Sequence, residues 1–291
     1  MKSKLTKLII ILFFILILLK KDIMYITIYK TTLIWFKNIV PNLFPMFIIS
    51  SLIVNTNLIN NICNILGKPF QFIFNINKYG VFVYILSLIS GSPSNAKYIK
   101  DLKDNNLITK EEENRLLTFT TNYNPILIIT LLSLYLSKTI SYKILFIIIL
   151  SNIITGIILR DNKTNKIDNK IIQIKKTNIS TIIKDTLDTL LMILGTLIFY
   201  NIIINLLPVN IPIIKNILNG LLEITTSLSN LKNIDISLNI KVYLSIIYLS
   251  FGGLSIHTQI KSILPDTNYI LFIKSRFICI IISLLLSFFI I

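Results

Sequence analysis

Tyr142 to Leu159 reads YKILFIIILSNIITGIIL, and this stretch decides the class of the protein. After Lys143 it is apolar to Leu159, with only Ser151, Asn152 and Thr155 as polar breaks. A helix needs roughly 20 mostly apolar residues to cross the hydrocarbon core of a bilayer. Thr189–Leu207 and Asn268–Ile291 repeat the pattern, the latter with Lys274 and Arg276 in its first turns. Of the 291 residues 54% are hydrophobic and only 14% charged, where a soluble domain carries about 25% charged residues. The reading is an all-α, polytopic helical membrane protein whose first partner is the lipid bilayer.

The formal net charge of +16 raises the question of nucleic acid. The lysines do not line one face or interleave with aromatics, as a nucleic-acid surface requires. They fall mainly between the apolar runs, where the positive-inside tendency places them. The chain is also crowded with Ile, Asn and Lys, whose codons are A/T-rich, so a skewed genome inflates the Lys and Asn counts. No nucleic-acid partner is expected. Cys63 and Cys279 lie far apart in apolar surroundings and read as inert buried thiols, not a disulfide framework.

Working outward from the deciding stretch, the chain divides into four parts. Residues 1–37 comprise a first span and an interfacial segment. Leu8–Leu19 follows Lys2, Lys4 and Lys7 like a signal peptide, but Lys20, Lys21 and Asp22 follow in place of a small-residue cleavage site, so an uncleaved span over about Leu5–Leu19 is expected. Tyr25, Tyr29 and Trp35 suit a headgroup-level segment over Met24–Lys37. Residues 38–159 form a first repeat. Its opening span starts near Ile39, with Pro41 and Pro45 in its first turns. A short hairpin follows, Ile62–Phe74 and Tyr79–Ser90, stopping at Gly91-Ser92-Pro93. Ala96–Leu116 is charged and polar, and Leu117–Leu136 is a span interrupted at Thr121–Pro125. Residues 160–185 are a basic linker expected in the cytoplasm. Residues 186–291 form a second repeat, in which one helix ends at Pro208. Ile211–Leu228 and Lys241–Ser250 make a second interrupted pair, stopping at Gly252-Gly253.

The two halves resemble each other. VFVYILSLISGSPSNAKYIKDL from Val81 and VYLSIIYLSFGGLSIHTQIKSI from Val242 align without gaps. Gly91 meets Gly252 where each apolar run breaks, and Ser94 meets Ser255 three residues on. Gly67 and Gly220 sit in the preceding arms. Counting crossings from a cytoplasmic N-terminus makes the halves inverted repeats and leaves Lys274 and Arg276 near the outer surface. Paired interrupted segments in corresponding halves point to a midplane site of the transporter kind.

Several motifs share an order and spacing with a known family. They are Pro41–Phe47, Gly91–Lys97, Leu107–Glu112, Phe119–Pro125, Leu222–Thr225 and Phe251–Gln259. Together they resemble the sporulation integral membrane protein family of endospore-forming bacteria, within the nucleoside-recognition or gate-domain superfamily. That group includes spore maturation proteins, the membrane part of ferrous-iron transporters and concentrative nucleoside transporters. The resemblance runs from about Trp35 onward. It departs at Asn95, where the family has a glycine; Asn tolerates left-handed backbone better than other non-glycine residues. The resemblance implies two gate-type inverted repeats in a multi-pass protein of a bacterial cell membrane. The membrane would be one of the developing spore or its mother cell, with a role in endospore formation. It implies binding or transport of a small polar solute, or else a non-transporting scaffold or signalling component of cortex or coat assembly.

The residues themselves supply a candidate site for a solute or coupling ion. Helix breaks leave backbone groups that lipid does not satisfy. At the first break, Ser92, Ser94 and Asn95 would face a polar solute at a helix start, or form a kink packed by neighbours, with Gly91 and Pro93 setting the break. Asn122 and Asn124, with Pro125 freeing a carbonyl one turn earlier, suit a nucleoside-like solute, Na+, or interhelical bonding. At the second break, set by Gly252 and Gly253, stand Ser255, His257 and Gln259. His257 reads equally as a proton-linked group or as a packed polar residue. Glu223 is an acid at membrane depth or near an interface. The acids Asp101, Asp104, Glu111, Glu112 and Glu113, interspersed with Lys and Arg, read as a solvated loop. No nucleophile–base set, Walker loop or metal-ligand spacing is visible, so neither catalysis nor a metal nor a cofactor is expected.

The topology carries a direct test. A cysteine placed as Thr164→Cys should resist an impermeant thiol reagent in intact cells and react after permeabilisation. Labelling from outside would overturn the cytoplasmic linker and the inverted-repeat count with it.

Overall fold

The computed structural model describes residues 2–56, 58–160, 178–206 and 208–291. The described residues are helical throughout, joined by short turns and loops. Most of the basic linker, residues 161–177, lies outside them.

Helix α1 is Lys2–Leu19, followed by α2 (Lys21–Ile34) and α3 (Val40–Val54). Met24–Lys37 does not lie apart from the next span, as the sequence suggested. A π-turn at Trp35–Ile39 joins α2 to α3 in one helix of 34 residues, Lys21–Val54. The cause is Pro41, which has no N–H to offer the carbonyl four residues back. The wider turn shifts the ladder by one residue, so that the Val40 N–H reaches Trp35 O. At 1.5 Å per residue such a helix reaches about 50 Å, well beyond a core of about 30 Å. Part of it therefore lies outside the hydrocarbon.

Helix α4 is Leu58–Phe74. The charged stretch that follows the first hairpin is not an open loop. After α5 (Gly80–Ser90) it forms α6 (Ser94–Asp104) and α7 (Lys110–Phe119). Thr109 and Glu112 make a reciprocal capping box at the start of α7. The run Leu117–Leu136 is broken where the sequence suggested, and no continuous helix spans it. The chain runs non-helically from Thr120 to Asn124 and restarts as α8 (Pro125–Leu132), too short to cross. Pro125 sits in the first turn of α8, where its missing N–H costs nothing. Helix α9 (Lys138–Ile158) completes the first half. The second half holds α10 (Ile179–Leu206), α11 (Pro212–Leu222), α12 (Ile224–Asn230), α13 (Leu238–Phe251), α14 (Gly253–Ile263) and α15 (Tyr269–Ile290).

Among the described residues five segments are long and apolar enough to cross a membrane: Lys21–Val54, Lys138–Ile158, Ile179–Leu206, Leu238–Ile263 and Tyr269–Ile290. The protein is a multi-pass membrane protein. Phe72, Phe288 and Phe289 are each at least 80% exposed, as lipid-facing side chains should be.

Two bonds fix the long N-terminal helix against α10. Trp35 Nε1 donates to Leu190 O at 3.0 Å, and Asn205 Nδ2 to Thr27 Oγ1 at 3.1 Å. The numbers rise along one helix as they fall along the other, so the pair is antiparallel. Helix α15 packs against α9 and α13. At the centre of the first half, Phe70, Phe74, Tyr84 and Phe119 form one aromatic cluster, with Phe74 and Phe119 stacked at 4.3 Å. The cluster needs Gly156. A Cβ there would fall 2.7 Å from the Phe119 ring and 2.9 Å from Phe74. Small residues let membrane helices approach closely in this way.

Gly156→Val should therefore lower the thermal unfolding midpoint in detergent, at a cost of about 1–3 kcal/mol typical of overpacking. Gly195, which has open space around it, serves as the control, and Gly195→Ala should leave the midpoint unchanged or slightly raised. Equal midpoints for wild type and Gly156→Val would contradict the packing described.

Candidate functional site

The two glycines aligned in the sequence both end a helix with backbone that L-residues avoid. Gly91 closes α5 at φ +79° and Gly252 closes α13 at φ +97°. A Cβ on Gly91 would also run into the Asn124 amide nitrogen and come within 2.9 Å of the Tyr123 carbonyl carbon. The α5–α6 break is thus pressed directly onto the α7–α8 break.

Hydrogen bonds stitch these two breaks together. Ser92 N–H donates to Asn122 O at 2.8 Å. Asn122 Nδ2 donates to Ser87 Oγ at 3.0 Å, and Asn124 Nδ2 to Ile89 O at 3.1 Å. Asn124 Oδ1 caps α8 by accepting from Leu127 N–H at 3.1 Å. From α9, Asn152 Nδ2 reaches both Thr121 O and Asn122 Oδ1 at 3.1 Å. Pro125 therefore leaves no carbonyl bare one turn earlier, since Asn152 takes it.

Tyr123 joins this pair to the second half. Its backbone lies against Gly91, while its hydroxyl donates to Leu249 O at 2.7 Å. A Cβ on Gly252 would sit 3.4 Å from that same hydroxyl. One tyrosine thus spans from the first glycine break to the second.

Around the second break the polar residues are largely satisfied by protein. His257 Nε2 lies 2.9 Å from Phe251 O, which only accepts, so Nε2 carries the proton. Nδ1 then accepts from the Tyr269 hydroxyl at 3.0 Å. Gln259 Nε2 donates to Ser255 Oγ at 3.2 Å and to Thr196 Oγ1 of α10 at 2.9 Å. Glu223 caps α12, accepting from Thr225 N–H at 3.0 Å and Thr226 N–H at 2.8 Å. Its break lies on Gly253, where a Cβ would meet Leu222 O at 3.3 Å.

The first break differs. Asn95 is fully buried. Its Nδ2 has only a long contact of 3.4 Å to Thr120 Oγ1, and its Oδ1 has no partner among the described residues. Ser92 Oγ is also buried and unpartnered among them. Ser94 is fully buried beside the Tyr98 hydroxyl. Of the residues singled out in the sequence, Ser92, Ser94, Asn95, Asn122 and Asn124 gather at the joined first breaks. Ser255 and Gln259 face α10, His257 faces Tyr269, and Glu223 stays at its own break.

The acids are a correction. Asp104 and Glu111 are exposed, but Asp101 and Glu113 are buried and Glu112 caps its helix, so the segment is packed helix and not a solvated loop. Asp101 Oδ1 pairs with Lys97 and Oδ2 accepts from Ser51 Oγ at 2.8 Å. Burial pushes the Asp101 carboxyl above the ordinary carboxylate range, with the Lys97 ammonium working against that shift. Glu113 receives Lys110 at 2.6 Å and Lys103 at 2.7 Å. The signal was present as Lys97/Asp101 and Lys100/Asp104, which stand four apart on one helix face. Arg276 is also enclosed. It is fully buried inside the protein and donates to Thr118 O in the last turn of α7. Its guanidinium also lies 5.5 Å from the Phe272 ring. Among the described residues no carboxylate pairs with it. A cation at a helix C-terminus is favourable there. Tyr123 lies within the break read at Thr121–Pro125, and Asn152 and Arg276 stand out as polar positions in apolar runs, but no spacing marks any of the three as a bridge between segments.

With this geometry in place, comparison with known proteins gives one relative. The chain is similar to a sporulation integral membrane protein. It is 26% identical over 283 residues to the sporulation integral membrane protein YlbJ of Bacillus subtilis (strain 168), covering 80% of this chain and 69% of that protein. No protein-family model and no solved structure matches.

Tyr123→Phe removes the hydroxyl that bridges the two breaks and leaves the buried Leu249 carbonyl short of a donor. The expected loss is about 1–3 kcal/mol of stability, read as a lower unfolding midpoint in detergent. Tyr135→Phe, which loses only its contact with Ser245, should cost less; the reverse order would contradict the bridging role.

Proposed function

We propose that this protein serves endospore formation from within a membrane of the developing spore or mother cell, and that it binds a small polar solute where the α5–α6 and α7–α8 breaks join. The role in sporulation rests on the relative's name and on the motif resemblance. The binding reading rests on one observation: Ser92 Oγ and Asn95 Oδ1 are buried beside the start of α6 with no partner among the described residues. Buried polar groups almost always have partners. The first N–H groups of a helix favour an electron-rich atom. A solute offering both a donor and an acceptor, such as a hydroxyl or an amide, suits that mixture. Two inverted gate-type repeats would then meet through Tyr123, and the protein would bind or move its solute with no chemical step of its own.

A packed, non-transporting scaffold is the second reading, and a specific observation favours it. Asn122, Asn124, Glu223 and His257 all spend their polar groups on protein. On that reading these breaks are structural joints.

Asn95→Ala and Ser92→Ala separate the two. The solute reading expects a fall of at least about tenfold in heat-resistant spore titre, equal to about 1.4 kcal/mol of lost binding, with membrane abundance near normal and vegetative growth unchanged. Wild-type titres in both variants would remove the solute site. Failure only through disappearance of the protein from the membrane would favour the scaffold.

A further inference from the structure

The far end of α6 holds a second cluster of unmet polar atoms. Helices α3 and α6 touch at two levels. Phe47 meets Tyr98 edge to face at 6.1 Å, and Ser51 Oγ donates to Asp101 Oδ2 at 2.8 Å. The contacts advance in the same direction along both helices, so the two run parallel and end side by side. Each ends on an asparagine. Asn55 caps α3 at φ −85°, ψ 9°, and Asn105 caps α6 at φ −93°, ψ 9°.

Both side chains fold back in the same way. Asn55 Nδ2 donates to Ser51 O at 2.8 Å, and Asn105 Nδ2 to Asp101 O at 2.9 Å. A carbonyl accepts only, so these bonds fix which end of each amide is nitrogen. The two Oδ1 atoms consequently point away from their own helices. Both are buried and neither has a partner among the described residues. Asn105 is only 7% exposed.

We infer that this paired helix end binds a monovalent alkali cation, with Asn55 Oδ1 and Asn105 Oδ1 as ligands. Two parallel C-termini bring the negative ends of two helix dipoles together. Such a place favours a cation. The charge available argues for a single positive charge. Asp101 is matched by Lys97, Asp104 by Lys100, and Lys103 is engaged by Glu113. The two unpartnered amide oxygens are neutral, whereas Ca²⁺ and Mg²⁺ sites draw on unpaired carboxylates. The site is distinct from the joined breaks, since the 11 residues of α6 separate them by about 16 Å.

The test uses the full-length protein in detergent, with Trp35, its single tryptophan, reporting thermal unfolding. NaCl or KCl is titrated against N-methyl-D-glucamine chloride at constant ionic strength. Binding to the folded state alone raises the midpoint saturably, so a saturable rise with Na+ or K+ is expected in the wild type. Asn105→Leu should lose that rise. Asn105→Asp, which adds a charge beside the ion, should reach half-saturation at a cation concentration about tenfold lower, a gain of about 1.4 kcal/mol. Should Asn105→Leu fail to accumulate, Asn55→Leu takes its place. Equal wild-type midpoints in all three salts would mean water alone fills the site, and an undiminished rise in the Leu variant would place the ion elsewhere; either result overturns the proposal.

Discussion

The bond from Ser92 N–H to Asn122 O at 2.8 Å joins two places where the backbone is not helical. Lipid offers no donors or acceptors, so every interruption of a helix within the bilayer has to be satisfied by protein, water or a solute. This constraint organises the rest of the fold. It presses the α5–α6 break onto the α7–α8 break and calls in Asn152 from α9 to take the Thr121 and Asn122 oxygens. Gly91 and Gly156 permit the approach, one by positive φ and the other by leaving room for Phe74 and Phe119. Tyr123 then carries the connection to Leu249 at the second break.

Charge is handled by the same economy of partners. Lys97 and Asp101 are both buried, and Ser51 supplies the remaining hydrogen bond to the carboxylate. Arg276 has no acid among the described residues, and the end of α7 supplies partial negative charge through the Thr118 carbonyl. Buried charges of this kind contribute little net stability compared with a well-packed apolar core. Their arrangement instead holds particular helix ends in register: α3 against α6, and α7 against α15.

Helix α6 is the element on which these observations converge. Its start lies at the joined breaks, with Ser92, Ser94 and Asn95, and its end lies beside α3, with Asn55 and Asn105. Unpartnered polar atoms among the described residues lie near both of its ends, on Ser92 and Asn95 at one and on Asn55 and Asn105 at the other. On the two proposals made above, a solute would face the positive end of the α6 dipole and a cation the negative end. One rigid segment of two to three turns would then feel both ligands.

Much of the architecture was legible in the order of residues alone. Runs such as Ile144–Leu159 specify membrane helices because apolar length is a sufficient condition for crossing. Gly91 and Gly252 mark breaks because only glycine readily takes positive φ where an apolar run stops. Other features depend on which segments meet, and that no local pattern encodes. Met24–Lys37 looked interfacial because Trp and Tyr suit headgroups, yet the π-turn carries the helix through Pro41 and Trp35 spends its N–H on Leu190 of α10. The acids from Asp101 to Glu113 looked solvated because mixed charge is usually exposed; Asp104 and Glu111 are exposed, yet Asp101, Glu112 and Glu113 are buried where α3, α6 and α7 meet. Nothing along the chain marked Arg276 as buried, and only the packing of α15 on α7 encloses it. The sequence by itself determined where helices form and where they break, because those depend on neighbours along the chain. Only the tertiary structure decided which polar atoms find partners and which, like Asn95 Oδ1, do not, because a hydrogen bond across 25 or 126 residues of chain exists only once the helices have packed.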